Sequence, residues 1–198
     1  MHPSVNSGRH RLTQLGLAAA LAAPLIVAPA FAKDEAKKPS EKTFQDWTMV
    51  CQKPEGAEKE VCVLVQQLVR KDKEGDTQGA QGAQGAQGGQ KLLMQIEVVA
   101  PPKGDQALMA FTLPLGVPLA QGLAIQIDDR EPTRVPFQVC LPNGCQAVLP
   151  LKDDAIANLK GGKEGKVTLN ERSQNPASLP VSLKGFSAGY KALQEARK

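Results

Sequence analysis

The sequence predicts an all-β fold, mostly an antiparallel sandwich or barrel stapled by disulfides, with one or two short helices near the C-terminus. Three observations support this prediction. Short apolar runs with a period of two residues recur along the chain, turn residues separate them, and four cysteines stand in a chain with an export signal. Short strands separated by such turns are typical of sandwiches and barrels.

The N-terminus has the features of a secretory signal. Two arginines precede an apolar run over residues 15–28, and Ala30 and Ala32 stand at the positions that a signal peptidase inspects. We expect residues 1–32 to be a signal peptide, cleaved between Ala32 and Lys33. The apolar run is too short and interrupted to indicate a membrane span, so the mature chain is expected to be periplasmic, without an integral membrane segment.

The composition argues against several classes of function. Removal of the signal takes two positive charges from a formal net charge of +4, and the lysines are scattered among acids, which does not indicate nucleic-acid binding. Both histidines, His2 and His10, lie in the signal peptide. The mature chain therefore lacks the histidine that Ser-His or Cys-His catalysis and histidine metal ligation require. We expect no catalytic residues, no cofactor and no metal site.

After the signal, residues 33–43 are charged and without apolar periodicity, which predicts a flexible arm. The length that follows suits a single domain, over residues 44–196. Its first strand is predicted where Trp47, Met49 and Cys51 alternate with other residues, which places the tryptophan in the core.

A second strand is predicted over the apolar run at residues 61–69. Residues 75–90 contain Gln-Gly-Ala repeats that lack the apolar surface needed to offset the entropy of ordering them, so we expect a disordered insertion there. Strands over residues 92–99 and 108–113 follow, and then a strand in which Leu123, Ile125 and Ile127 define one buried face.

The segment from Cys140 to Cys145 predicts a hairpin. Pro142 fixes φ, and Asn143 and Gly144 favour the positive φ values of a tight reversal, so the two cysteines are expected to face each other as a disulfide. A dithiol redox site or half of a metal site is the alternative. Catalytic dithiols usually have two intervening residues at a helix start, and the four intervening residues here favour the structural interpretation.

The other two cysteines, Cys51 and Cys62, complete an even number in an exported chain, which indicates two disulfides. Proximity in the sequence favours the pairs Cys51 with Cys62 and Cys140 with Cys145. Four cysteines permit three connectivities, and the sequence alone leaves them open.

The C-terminal part is predicted to contain both helices. Residues 153–160 suit a short helix with Asp153 as its cap, and the strands at 167–169 and 181–183 follow. Apolar residues of the last segment recur at helical spacing, with Ser187 as a candidate cap.

The most site-like acidic pair is Asp128 with Asp129. Neighbouring residues of a strand point to opposite faces, so the two carboxylates would not converge as an acid–base dyad, and we interpret them as solvated turn residues. The serines of the mature chain have no recognisable activating base in the sequence. The chain is therefore not expected to be an enzyme.

The ordered features of the mature chain resemble the invasion-associated locus B family. The residues and motifs that carry the resemblance are Trp47, Cys51, Cys62, Leu113-Pro114-Leu115-Gly116-Val117, Leu119, Gly122, Ile125-Gln126-Ile127-Asp128, Pro136-Phe137, Cys140, Gly144-Cys145 and Ser182-Leu183-Lys184-Gly185-Phe186. The set spans nearly the whole predicted domain. The Gln-Gly-Ala tract departs from the family pattern.

The resemblance implies an exported, mostly β protein of alphaproteobacterial type, located in the periplasm or at the outer membrane. Some family members are associated with host-cell entry, and the family offers no catalytic residues to carry over. We therefore expect a protein partner in the cell envelope or on a host-cell surface. The alternatives are a small envelope redox protein or enzyme using Cys140 and Cys145, and a surface adhesin.

Overall fold

The computed structural model describes most of the predicted domain, over residues 39–71, 90–100, 106–169 and 175–197. All of these residues fall within one structural unit. The predicted signal peptide with its cleavage site at Ala32 and Lys33 lies outside the described ranges, as does the predicted insertion at 75–90 apart from Gln90.

The described residues form eleven strands, and they confirm the predicted all-β class. In chain order the strands are β1 (Ser40–Phe44), β2 (Trp47–Gln52), β3 (Val61–Lys71), β4 (Gln90–Val99), β5 (Ala107–Leu113), β6 (Leu123–Ile127), β7 (Thr133–Val135), β8 (Phe137–Leu141), β9 (Gly144–Leu151), β10 (Glu164–Leu169) and β11 (Ala177–Ser182).

Every strand pairing is antiparallel, and the strands divide into two sheets. The large sheet has seven strands in the order β1-β2-β3-β4-β5-β9-β8, and the small sheet has four in the order β11-β10-β6-β7. Consecutive strands are mostly neighbours because short turns join them. The chain passes from one sheet to the other at Pro136, between the edge strands β7 and β8.

Two helices accompany the sheets, α1 (Asp153–Gly161) and α2 (Phe186–Ala196). Among the described residues, no helix is both long and apolar enough to cross a membrane. The predicted caps are wrong. Asp153 is the first residue of α1, after Lys152, which makes no side-chain capping bond. Ser187 lies inside α2 and donates its hydroxyl to the Lys160 carbonyl at 2.9 Å, which joins the two helices.

The core is one cluster of apolar side chains from both sheets and from α2. Trp47, Phe111 and Phe186 are its largest fully buried side chains. Trp47 meets Phe186 edge to face at 5.2 Å between ring centroids, and Phe186 stacks on Tyr190 at 5.7 Å. The predicted core role of Trp47 is confirmed, and such aromatic pairs add stability beyond the apolar area they bury.

The prediction of a flexible arm through residue 43 is wrong for its last residues, because Ser40–Phe44 form β1. The strand pairs with β2 through a two-residue turn at Gln45 and Asp46, in which Gln45 has a φ of 54°. Its polar side chains are mostly exposed, since β1 lies at the edge of the sheet. The apolar alternation that identifies inner strands is therefore missing from its sequence.

Both disulfides join directly opposed residues of neighbouring strands. Cys51 on β2 bonds Cys62 on β3, and Cys140 on β8 bonds Cys145 on β9. The hairpin turn itself consists of Pro142 and Asn143, and β9 begins at Gly144. Only Gly144 takes the predicted positive φ, at 144°, whereas Asn143 does not.

Candidate functional site

Polar side chains cluster where β11 of the small sheet meets β2 and β3 of the large one. The buried Gln66 on β3 donates from Nε2 to the Ser182 carbonyl at 2.9 Å and to the Asp46 carbonyl at 3.2 Å. Its Oε1 accepts from the Ser182 backbone N–H at 3.1 Å. Trp47 Nε1 donates to the same Ser182 carbonyl at 2.9 Å. One amide side chain thus bonds both backbone groups of Ser182, as a neighbouring strand would.

Ser182 also lies next to a carboxylate. Its Oγ donates to Asp46 Oδ2 at 2.5 Å and accepts from the Lys184 backbone N–H at 3.2 Å. The sequence offered no signal for this pair, because 136 residues separate the two. The hydroxyl is engaged on both its donor and its acceptor side, so the cluster acts as a clamp between the sheets. A shallow groove of about 520 Å³ lies beside it, with Lys163 and Lys184 on its border.

The acidic pair after β6 lies in a turn, as the sequence analysis predicted. Asp128, at a φ of 49°, accepts from the backbone N–H groups of Lys163 at 3.0 Å and Glu164 at 3.1 Å, and from the Arg130 guanidinium at 3.2 Å. The hydrogen bonds from Glu164 and Lys163, and then Arg130, lower the pKa of Asp128 below its ordinary value. Asp129 is exposed in the same turn. Asp128 therefore pins the turn to the start of β10.

We expect Asp128→Asn to lower the free energy of unfolding at neutral pH, because an amide oxygen accepts weaker hydrogen bonds than a carboxylate. Since the folded-state pKa of Asp128 lies below the ordinary 3.8, this contribution is present above that value and is lost as the pH falls through the folded-state pKa. Urea unfolding at pH 7 and at successively lower pH measures it. Asp129→Asn, in the same turn, is the matched control, and a pH-independent difference for Asp128→Asn would contradict the prediction.

The outer face of the large sheet carries a continuous row of apolar side chains. The strand registers place one residue from each of five adjacent strands side by side: Val50, Val63, Val99, Leu108 and Pro150. The opposite face of the same strands supplies the core residues Leu64, Val98, Met109 and Leu151. The row is only partly covered, and Leu108 is 37% exposed. These strands are therefore apolar on both faces.

A polar row runs parallel to the apolar one, four residues away along the strands. It consists of Gln67, Gln95, Thr112 and Gln146 and ends at Val139 on β8. Within it, Gln67 Nε2 donates to Gln95 Oε1 at 2.8 Å, and Gln146 Nε2 donates to Thr112 Oγ1 at 3.3 Å. These hydrogen bonds fix amide and hydroxyl groups in an ordered array on the outer face.

One half of this outer face lacks charge altogether. Residues 106–127 and 135–151, which include β5, β8 and β9, contain no Asp, Glu, Lys or Arg, although such residues make up 22% of the chain. At the far edge Val139 and Leu141 are 44% and 43% exposed. Contiguous apolar surface of this kind, with a polar border, is typical of interaction sites. The apolar row, the polar row and β8 together are the candidate interaction surface.

This surface was not predicted from the sequence. The run over residues 61–69 predicted only a second strand, although that run is apolar at both odd and even positions. In an antiparallel sheet with one face in water, alternation is expected, so its absence is the signal that both faces are used.

Comparisons with known proteins agree with this fold. The family model described as Invasion associated locus B (IalB) protein matches residues 47–194. Two invasion protein B homologs, from Brucella abortus strain 2308 and from Brucella abortus biovar 1 strain 9-941, are each 32% identical over 160 residues, which is 80% of this chain and 81% of each relative. The crystal structure of invasion associated protein B from Bartonella henselae matches with a TM-score of 0.58 at 22% identity, over 79% of this chain and 95% of that one, and so shows the same fold.

Proposed function

The chain belongs to the invasion associated locus B family, and on that premise we propose that it is an exported, non-enzymatic protein of the bacterial envelope that binds another envelope component or a host-cell surface. The observation that carries the proposal is the candidate interaction surface. Its apolar row crosses five strands, and none of its five residues belongs to the core cluster. Covering such a row with a partner releases water from apolar surface, which favours association.

The groups with catalytic potential support a binding role because the fold already uses them. The Ser182 hydroxyl bonds Asp46 and the Lys184 N–H, and the carboxylate of Asp128 bonds two backbone N–H groups and Arg130. All four cysteines are in disulfides, which favours a structural role over the dithiol alternative. Each of these groups bonds other parts of the protein and so holds its elements together, which favours a structural role for them.

Export and a role in virulence complete the proposal. The signal-like segment before Lys33 supports delivery to the periplasm, with association to the outer membrane or release as further steps. The names of the Brucella and Bartonella relatives connect those proteins with invasion, and we extend that connection to this chain as part of the proposal.

Site-specific photo-cross-linking in the native cell tests the proposal. A photoreactive residue at Leu108, which belongs to the apolar row and is 37% exposed, is expected to give a discrete cross-linked product whose second component mass spectrometry identifies. The matched control places the same residue at Lys166, an exposed position on β10 of the small sheet. Equal products from both positions would contradict the proposal, and so would the absence of a product from Leu108 both in the native cell and in contact with host cells, while a known envelope complex cross-links well.

Protease treatment of intact cells then separates the two kinds of partner. Protection of the chain supports an envelope component as the target, whereas digestion at the surface supports the adhesin alternative and a host-cell target.

A further inference from the structure

The two sheets have four edge strands in the described part of the chain, and three of them are poorly suited to pairing with a copy of themselves. Antiparallel pairing of a strand with its own copy brings identical or neighbouring residues together, so charges of one sign meet. The edge strand β1 carries Lys42 at its centre, and β7 carries Arg134 at its centre. The edge strand β11 contains Pro180, which cannot donate a backbone hydrogen bond. The fourth edge, β8, has neither charge nor proline.

The backbone of β8 presents its hydrogen-bonding groups outward at one residue. Cys140 and Cys145 are directly opposed with their Cα atoms 3.9 Å apart, which is the short spacing of a non-hydrogen-bonded pair. The N–H and C=O of Cys140 therefore point away from β9, toward the open edge. A bulge follows on the N-terminal side, where Gln138 Nε2 donates to the Val148 carbonyl at 3.4 Å. The accessible edge is the segment Val139–Leu141.

We propose that two copies of this chain pair through β8, antiparallel and about a two-fold axis at Cys140. In this arrangement Cys140 exchanges both backbone hydrogen bonds with Cys140 of the second copy, and Val139 lies opposite Leu141 of that copy. The occupant is a second copy rather than an unrelated strand because a different protein could complement charges of one sign on the edge, whereas self-pairing requires that no like charges meet across the axis. The uncharged run at 135–151 satisfies that requirement in a chain of formal charge +4.

The pairing goes beyond the proposed function and does not depend on it. It joins two seven-stranded sheets into one and leaves the apolar and polar rows of both copies on the same outer face. A target that engages both copies would gain avidity from the second contact.

Sedimentation velocity of the purified exported protein tests the pairing. Because an edge of this length buries little area, a weak dimer is expected, and the series should extend to about 1 mM protein. The expected result is a twofold rise in mass with concentration. Val139→Lys combined with Leu141→Lys should abolish it, since the geometry places the two introduced lysines opposite each other across the axis. Val139→Lys combined with Leu141→Glu should restore it, because opposite charges then meet.

The control variant carries Val61→Lys and Val69→Lys, which are 47% exposed on β3 and on the same outer face, but far from β8. It should dimerise like the wild type. Circular dichroism and mass spectrometry establish that each variant is folded with both disulfides. A wild-type mass that stays monomeric throughout, a dimer that survives the double lysine substitution, or a failure of the charge-swapped variant to dimerise would each overturn the pairing. None of these outcomes bears on cross-linking at Leu108, so the two proposals fail separately.

Discussion

Replacing Gly185 with alanine is expected to lower the free energy of unfolding by at least about 4 kcal/mol. Gly185 precedes α2 with a φ of 86°, a conformation that costs a residue with a Cβ about 1–2 kcal/mol. An alanine Cβ would also overlap the carbonyl of Phe44 at the end of β1. Because that neighbour is backbone, the first hairpin or α2 must shift to relieve the overlap. Urea unfolding followed by tryptophan fluorescence, which reports Trp47, measures the loss.

Two other glycines separate the causes of this effect. Gly56 has a φ of 77° and free space around a Cβ, so Gly56→Ala should cost only about 1–2 kcal/mol for its backbone conformation. Gly161, the last residue of α1, has neither a positive φ nor a close neighbour, so Gly161→Ala should be neutral or slightly stabilising. If Gly185→Ala lowers the free energy of unfolding no more than Gly56→Ala does, the overlap with the Phe44 carbonyl does not contribute to the loss, and the prediction is wrong.

Replacing Gln66 with methionine is expected to lower the free energy of unfolding by about 3 kcal/mol, even though the side-chain volume is nearly unchanged. The substitution leaves the backbone N–H of Ser182 and the carbonyl of Asp46 without the partner that Gln66 supplies. The carbonyl of Ser182 keeps its bond from Trp47. Both bonds are part-buried, and since a fully buried group left unsatisfied costs about 1–3 kcal/mol, the estimate lies toward the lower part of the range for two such groups.

Gln67→Met is the matched control for this prediction. Gln67 is the next residue along β3, but its side chain is exposed on the outer face. Its amide donates a hydrogen bond to the exposed side chain of Gln95 and does not take part in the clamp at Ser182. Its replacement should change the free energy of unfolding by less than about 0.5 kcal/mol. Similar losses for both variants would contradict the prediction. They would show that replacing either glutamine of β3 destabilises the strand, whether or not the hydrogen bonds of Gln66 are removed. Denaturant slopes should remain equal, since a changed slope would indicate an altered unfolded state.

Much of the inner architecture follows from local pattern. The sequence predicted a strand over residues 92–99, and the structure buries its alternating residues Met94, Ile96 and Val98 completely. The proline and glycine of the hairpin between β8 and β9, with a cysteine on each side, predicted the Cys140–Cys145 bond that the structure contains. These inferences succeed because strand alternation and tight turns depend on residues within a few positions of one another.

Local pattern failed where structure depends on distant partners. The polar strand β1 exists because β2 offers it a hydrogen-bonding edge. The clamp at Ser182 joins residues that lie 116 to 136 positions apart in the chain, and no spacing rule connects them. The helix caps failed for a related reason, since Ser187 finds its partner in α1 rather than in its own helix.

The sequence by itself determined that no histidine follows His10, that its strands bury apolar faces, and that nearby cysteines can pair. These properties are composition and short-range geometry, which the amino-acid order states directly. Only the tertiary structure decided that β1, β7, β8 and β11 are edges and that Val63, Val99 and Leu108 line up on an open face. Strand order and register are set by pairing energies summed over the whole sheet, so no single segment encodes them.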